Sequence, residues 1–327
     1  MPIETRPVYG EVRVAGETYR IVSGGTSGTS HQTELDTGLT YKSDRYNTAG
    51  KLDVTVLSET DIPEEVDAEV YLRDTLIFRG TIRNSKPGIS LRIRLECYDA
   101  VADLKRNTLS GTYNRASITE ITEAALAEAG VDGQVDLPQV RVSPSFDETR
   151  CDKVLKKVAR WGDAAWWVSA GNEVVVTENI AAETEQHDID LIRDGSPGKR
   201  TPAYQSVRVI GSSPVSRRGL GYRYLISSSP IVATAGTGQP RFTIRDNDIQ
   251  TQEQAQKAAD AIYKRLQSQQ KSGWVELVGN EEIRPFDTVQ MPENLGGEEY
   301  LVASIKHTLD SRSGFVTRCN LGGLIEA

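Results

Sequence analysis

The chain has 327 residues, of which 38% are hydrophobic and 26% are charged, so it carries enough apolar material for folded cores. This length predicts two or three domains. The net charge of −8 disfavours non-specific binding to nucleic acid or to anionic membranes, because both need a basic face. No apolar run approaches the roughly 20 residues of a membrane span, and the first residues lack the apolar stretch of a cleaved export signal.

The three cysteines, Cys97, Cys151 and Cys319, are far apart and form no Cys-x-x-Cys pair. Their odd number predicts no disulfide framework, and three thiolates cannot make a four-cysteine zinc site. Cys97 and Cys319 fall in strand-like runs, where a thiol serves as a small buried hydrophobe. We therefore expect synthesis in a reducing cytoplasm.

The first hundred residues read as β-strands, because apolar and polar residues alternate in short runs bounded by Gly, Pro, Asn and Asp. The runs cover residues 8–14, 19–22, 51–57, 68–72, 76–83 and 89–97. Such closely spaced strands predict a sandwich or a small barrel. The first β domain is accordingly assigned to residues 1–101.

The apolar period becomes helical in the next segment, residues 102–200. Ser117 with Glu120 forms a capping-box signature at the start of one helix. A second helix is predicted over 149–161, followed by a Trp-rich hairpin over 165–177. Two helices and a short sheet predict an α+β domain, and a segment rich in Gly and Pro ends it.

Strands resume in the last segment, residues 201–327, where one helix interrupts them. Thr251 with Gln254 is a second capping-box signature, and it predicts a helix over 251–269. The predicted strands cover 206–211, 222–226, 231–234, 273–279, 287–291, 299–307 and 314–321. This pattern predicts a second β domain that carries one helix.

The three histidines, His31, His187 and His307, lie in three different segments and form no metal-ligand spacing. His31 is in a loop rich in Gly, Ser and Thr, His187 is flanked by acidic residues, and His307 ends a strand. All three are interpreted as solvated or structural.

Other motifs that carry chemistry are also missing. The glycine-rich loop 24–30 lacks the Lys of a phosphate-binding motif and the glycine spacing of a dinucleotide fingerprint. Asp246-Asn-Asp-Ile lacks the spacing of a calcium loop, and adjacent carboxylates such as Glu64/Glu65 and Glu281/Glu282 arise by chance. The sequence therefore predicts no catalytic, cofactor-binding or metal-binding residue, and no enzymatic activity.

Three patterns follow one another after the helix 251–269. They are Ile283-Arg-Pro-Phe-Asp-Thr-Val, Tyr300-Leu-Val-Ala-Ser-Ile-Lys-His and Gly314-Phe-Val-Thr-Arg-Cys-Asn-Leu. Their order resembles the closing barrel of tail and baseplate hub proteins of tailed phages, the late-control-D-like family. That family includes the hub part of type VI secretion spikes and of contractile injection systems.

One position departs from the pattern of the family. Phe286 stands where the family usually has glycine, so this tight turn must be built differently. We expect Pro285 to preset the turn and Asp287 to bond nearby backbone N–H groups.

The N-terminal half is similar to the first barrel of the same family. In residues 70–83 a short hairpin ends in Phe-x-Gly-x-Ile, and in residues 91–104 the last strand ends in the aromatic-Asp pair Tyr98-Asp99. The middle segment, with its second helix ending in Trp161-Gly and its Trp-rich hairpin, is similar to the peripheral domain of the family.

The resemblance implies a mainly β fold with an α+β part, in which two small tube-type barrels flank a peripheral α+β domain. It implies a homotrimer in which six similar barrels form a ring between a hexameric tail tube and a threefold tip or spike. The implied location is the virion, at the tail tip or baseplate, after synthesis as a late protein in the host cytoplasm.

The implied partners are other copies of the chain, the tail tube or distal tail protein, a tip, spike or fibre protein, and the tape measure protein. DNA would pass through the ring during genome ejection without stable nucleic-acid binding, and the acidic surplus suits such a channel. Two alternatives stay open: a host-binding tail-tip module and the hub of a contractile injection system. A tail-associated hydrolase would need a catalytic constellation, and the sequence predicts none.

Overall fold

The computed structural model describes residues 9–22, 39–44, 49–89, 91–178, 185–189, 191–199, 204–212, 231–268, 271–310 and 314–322. Strands dominate these residues and helices are few, as the sequence predicts. Within the described part of the chain, no helix has both the length and the apolar character needed to cross a membrane.

Seven strands make up the first barrel. They are β1 (Tyr9–Val14), β2 (Glu17–Val22), β3 (Leu39–Asp44), β4 (Lys51–Leu57), β5 (Asp67–Leu72), β6 (Thr75–Pro87) and β7 (Arg92–Tyr98). Every pairing among them is antiparallel. In β4, Leu52, Val54 and Val56 point into the core while the residues between them stay partly exposed, which is the alternation that predicted the strand.

The second unit combines three helices with short strands. Its elements are α1 (Ala100–Arg106), β8 (Thr108–Thr112), β9 (Ala116–Ser117), α2 (Ile118–Ala129), β10 (Gly133–Asp136), β11 (Arg141–Val142), β12 (Ser145–Arg150), α3 (Cys151–Gly162), β13 (Ala165–Val168) and β14 (Val174–Thr177). The cap predicted at Ser117 is confirmed, because the Glu120 N–H donates to its hydroxyl oxygen at 3.1 Å. Gly130 ends α2 in the left-handed conformation.

The remaining elements run to the end of the second barrel. They are β15 (Gln186–Asp188), β16 (Ile192–Gly195), β17 (Gly198–Lys199), β18 (Ser206–Ile210), β19 (Val232–Gly236), β20 (Arg241–Arg245), α4 (Gln252–Ser268), β21 (Lys271–Val278), β22 (Thr288–Gln290), β23 (Glu299–Asp310) and β24 (Gly314–Leu321), with a 3₁₀ turn at Glu293–Leu295. Thr251 and Gln254 cap α4 reciprocally, at 3.1 and 3.2 Å, as predicted. The predicted strand 222–226 lies outside the described residues.

One sheet runs through both barrels. Among the described residues its main path has the order β16-β21-β24-β23-β3-β4-β7-β6-β5-β1-β2. The link is β3, which pairs with β4 on one side and with β23 on the other, so that Tyr41 lies opposite both Leu52 and His307. The two barrels are therefore held together by backbone hydrogen bonds and by side-chain packing.

Two hydrophobic cores organise the chain. The first lies under the long sheet and combines residues of both barrels, from Val12 to Leu321. The second joins helices α1 to α3 with α4 and with the three-stranded sheet β19-β18-β20. Small side chains on α4, Ala255, Ala258 and Ala259, are fully buried and let this helix lie close to its neighbours.

These cores cut across the three consecutive segments expected from the sequence. Strands β18, β19 and β20 and helix α4 contribute to the second core, although they follow the segment rich in Gly and Pro that the sequence predicts to end the α+β domain. The physical reason is that the apolar face of α4 packs on α3 and on β18–β19. The assignment of 1–101, 102–200 and 201–327 to separate domains stays a prediction.

Candidate functional site

The turn between β21 and β22 is built around a buried carboxylate. Asp287 Oδ2 accepts a hydrogen bond from the Arg284 backbone N–H at 2.6 Å, and Oδ1 accepts one from the Glu185 N–H at 3.0 Å. The expected bonding of Asp287 to backbone N–H groups is thus confirmed. The same carboxylate lies 3.0 Å from His187 Nε2, which ties the segment around β15 to the turn.

Phe286 keeps the backbone conformation for which glycine is normally required, so the expectation of a differently built turn is wrong. Its φ is 82°, in the left-handed region that L-residues avoid. Its side chain is only 2% exposed, and its ring centroid lies 4.8 Å from that of Trp167 in the hairpin of the second unit. Burial of the ring offsets the backbone strain, and the turn thereby anchors the second unit to the barrel.

Arg284 ties the same turn to the first barrel. Its guanidinium donates to the backbone carbonyl of Leu76 in β6 at 3.0 Å, and also to the carbonyls of Glu281 and Ile283. Burial lowers the pKa of this guanidinium, because desolvation disfavours its charged form. The hydrogen bonds to three carbonyl oxygens compensate for part of that lost hydration.

His307 lies fully buried next to this turn. Thr317 donates its hydroxyl proton to the Asn280 carbonyl at 2.9 Å, so its oxygen accepts from His307 Nδ1, also at 2.9 Å. The ring therefore carries its proton on Nδ1, and Nε2 has no hydrogen-bond partner among the described residues. Burial, with a further contribution from the charge of Arg284, lowers the pKa of His307 to about 3.

Aromatic rings continue this cluster across the sheet. Tyr41 stacks on His307 with centroids 6.0 Å apart and contacts Phe78 at 5.3 Å. Burial raises the pKa of Tyr41 to about 12. We call Tyr41, Arg284, Phe286, Asp287 and His307 the barrel junction, since together they touch the first barrel, the second barrel and the second unit.

The three histidines have different outcomes. His187 and His307 are both structural, as interpreted from the sequence, and His31 lies outside the described residues. The hydrogen bond that His187 donates to the Asp287 carboxylate raises the pKa of His187 in spite of its partial burial. The glycine-rich loop 24–30 is outside the described residues too.

The candidate carboxylates serve as hydrogen-bond acceptors within the fold. Glu281 forms an ion pair with Arg73 at 3.3 Å, and Glu65 forms one with Arg83. Asp246 accepts from the indole N–H of Trp161 at 3.2 Å. Among the residues that the structure describes, no group of three or more His, Cys, Asp or Glu side chains could hold a metal ion.

The tryptophans and cysteines have the core roles expected of them. Trp161, Trp166, Cys97, Cys151 and Cys319 are each 0% exposed. Burial raises the pKa values of the three thiols to about 12, 11 and 12 in chain order. Such thiols are inert at neutral pH.

Two members of the barrel junction were not found from the sequence. Tyr41 lies in β3, which follows a glycine-rich loop and was not recognised as a strand. Arg284 is part of a turn motif, and the local sequence does not identify its partners, because one of them, the Leu76 carbonyl, is 208 residues away in the sequence.

No protein-family model and no curated protein sequence matches the chain. Solved structures do match. The 43 kDa tail protein of prophage MuSo2 from Shewanella oneidensis aligns with a TM-score of 0.69 at 14% identity, over 96% of this chain and 98% of that one. A tail protein from Neisseria meningitidis gives a TM-score of 0.71 at 12% identity, over 97% of each chain.

A third match comes from a different system. An Escherichia coli component of the type VI secretion system aligns with a TM-score of 0.58 at 9% identity, over 96% of this chain and 77% of that one. At these identities the likeness shows the fold. The chain has the fold of these phage tail and secretion-system proteins, and the predicted fold class is confirmed.

Proposed function

We propose that this chain is a structural hub protein of the tail tip or baseplate of a tailed virus. Three copies would form a ring of six similar barrels that joins a hexameric tail tube to a threefold tip or spike. The observation that carries the proposal is the sheet that passes from one barrel to the other through β3. It fixes two barrels side by side in each copy, so that three copies supply six positions around one axis.

The shared fold of the phage tail and secretion-system proteins supports the same proposal. In this role the chain is not an enzyme. At the barrel junction, the Asp287 carboxylate accepts from backbone N–H groups and the Arg284 guanidinium donates to backbone carbonyls, an arrangement that holds a structure together.

Exposed apolar residues identify candidate contact surfaces. Ile89 and Leu91, at the tip of the β6–β7 hairpin, are 89% and 58% exposed, and Leu91 has a left-handed φ of 60°. Leu191 and Val278 lie together on the second barrel, are 56% and 55% exposed, and are joined by a backbone hydrogen bond. Exposed apolar patches are typical of surfaces that another protein covers.

The second core would form a module outside the ring. This role is proposed for residues 102–200. The sheet β19-β18-β20 and helix α4 pack on the same core and would belong to the same module. The ring contacts would then come from the two barrels.

The proposed partners are other copies of this chain, the tail tube or distal tail protein, a tip, spike or fibre protein, and the tape measure protein. DNA would pass through the ring during genome ejection. The chain would be made late, in the host cytoplasm, and would end in the virion.

Substitution at the hairpin tip tests this assignment. The double variant Ile89→Asp/Leu91→Asp should fold, because both side chains are exposed, and should fail to enter assembled tails. Ala127→Asp, at an exposed position of α2 in the second unit, is the matched control and should assemble normally. Normal tails built from the hairpin variant would contradict the proposed contact surface.

A further inference from the structure

Four cations stand in one row across the long sheet. Arg318 in β24 lies opposite Lys306 in β23, Lys306 lies opposite Lys42 in β3, and Lys42 lies opposite Lys51 in β4. We call Arg318, Lys306, Lys42 and Lys51 the cation row. It crosses the pairing of β23 with β3, so both barrels contribute to it.

Such a row is unfavourable within the isolated chain. Directly opposed side chains on one face of a sheet are about 5 Å apart, and like charges at that distance repel. The outer two cations have partners. The Lys51 Nζ atom lies 3.2 Å from an Asp53 carboxylate oxygen and 3.8 Å from one of Glu96, and Arg318 lies opposite Glu276 in β21 and stacks over the ring of Trp274. For the central two, Lys42 and Lys306, the described part of the chain provides no ion-pair partner.

The surroundings of the row favour an anion with many charges. The row borders a groove of about 420 Å³ whose lining includes Lys42, Lys306 and Arg318 together with the polar side chains of Ser304 and Asn320. No acidic and no aromatic residue is among the described residues that line this groove. Lys, Arg, Ser and Asn are the side chains that contact nucleic-acid phosphates, whereas protein interfaces are poor in Lys and rich in aromatic residues.

We propose that the cation row binds the phosphate backbone of DNA. The inference rests on the proposed function, since DNA passes through the ring only if the chain is a hub. The sheet shared by both barrels would line such a ring from one copy to the next, and the row lies on one face of this sheet. Three copies would present twelve cations at one level of the passage.

The cation row is compatible with the net charge of −8. Contacts between its cations and phosphates act within a few ångströms, whereas the acidic residues are spread over the chain and are screened by salt at longer distances. The binding expected from four phosphate contacts is weak and depends strongly on salt. Contacts of that kind guide DNA and then release it, in keeping with the transient passage expected from the sequence.

The test measures binding of the full chain to a fluorescent DNA duplex by anisotropy, as a function of salt concentration. Four phosphate contacts predict a slope of log K against log salt near −3.6, and Lys42→Gln/Lys306→Gln should make it shallower by about 1.8. The matched control is Lys153→Gln/Lys257→Gln, which removes two charges from helices α3 and α4 and should leave the slope unchanged. The denaturation midpoint of the row variant should stay the same or rise, because a like-charge contact is removed.

Three results would overturn the proposal. The first is that the wild-type chain does not bind the duplex at low salt. The second is that the control variant weakens binding as much as the row variant does. The third is that the wild-type chain binds polyglutamate but not DNA. The last result would identify an acidic polypeptide as the ligand. Tails assembled from the row variant should look normal in micrographs, whereas failure of the hub proposal itself would appear as absence of the wild-type chain from the tail.

Discussion

Substitution of Phe286 separates the packing of its ring from the strain of its backbone. The side chain is 2% exposed and contacts Trp167, so Phe286→Ala should lower the free energy of unfolding by about 3–5 kcal/mol. Phe286→Gly removes the same ring, but at a φ of 82° glycine relieves strain that alanine retains. The glycine variant should therefore be more stable than the alanine variant by about 1 kcal/mol.

Phe78 provides the matched control. It is 1% exposed and lies in β6, where the backbone is extended. There Phe78→Gly should be less stable than Phe78→Ala by about 0.5–1 kcal/mol, because glycine loses more conformational freedom on folding. The order of glycine and alanine should thus be opposite at the two positions.

Guanidinium denaturation of all four variants measures both differences, with tryptophan fluorescence to follow the surroundings of Trp167 and circular dichroism to follow the strands. If alanine is as stable as glycine at Phe286, or if the order is the same at Phe78, the strain argument is wrong. If a Phe286 variant unfolds the second unit at a lower denaturant concentration while the strands unfold as in the wild type, the ring anchors this unit to the barrel.

Two further predictions concern pH, and they have opposite signs. Asp287 raises the pKa of His187, so protonation of His187 stabilises the fold at low pH and this contribution is lost as the pH rises through the folded pKa. As the pH rises above about 6.5, the ordinary pKa of histidine, the denaturation midpoint should consequently fall less for His187→Gln than for the wild type. Burial lowers the pKa of His307 to about 3, so stability should fall as the pH drops below 6.5. The slope should approach 1.4 kcal/mol per pH unit, and His307→Gln should remove it; an unchanged slope would refute the assignment. A final prediction is that Cys97, Cys151 and Cys319 react with a thiol reagent only after denaturant is added, because all three are 0% exposed; labelling of the native chain would contradict it.

Local signals in the sequence were reliable where one residue type has one physical role. The caps at Ser117 and Thr251 were found because a hydroxyl followed three residues later by Glu or Gln can satisfy orphan N–H groups. The alternation of apolar and polar residues predicted β4 correctly, because successive side chains of a strand point to opposite faces of the sheet. The aromatic-Asp pair also has a local explanation, since Asp99 caps the unpredicted helix α1 by accepting from the Val101 N–H.

Long-range partners were not predictable in this way. Strand β3 carries few apolar residues, and its role as the link between barrels depends on pairing with β23, more than 250 residues further along the chain. Nothing in the sequences of β18, β19 and β20 indicates which core these strands join, because alternation identifies a buried face without identifying what covers it. The barrel junction depends on the same long-range pairing, which explains why Tyr41 was missed.

Averaged electron micrographs of the assembled tail tip test the central claim most directly. The hub proposal predicts a ring with a central opening, threefold symmetry, and six similar densities contributed by three copies of the chain. Six or twelve copies per particle, or threefold contacts confined to residues 102–200, would contradict it.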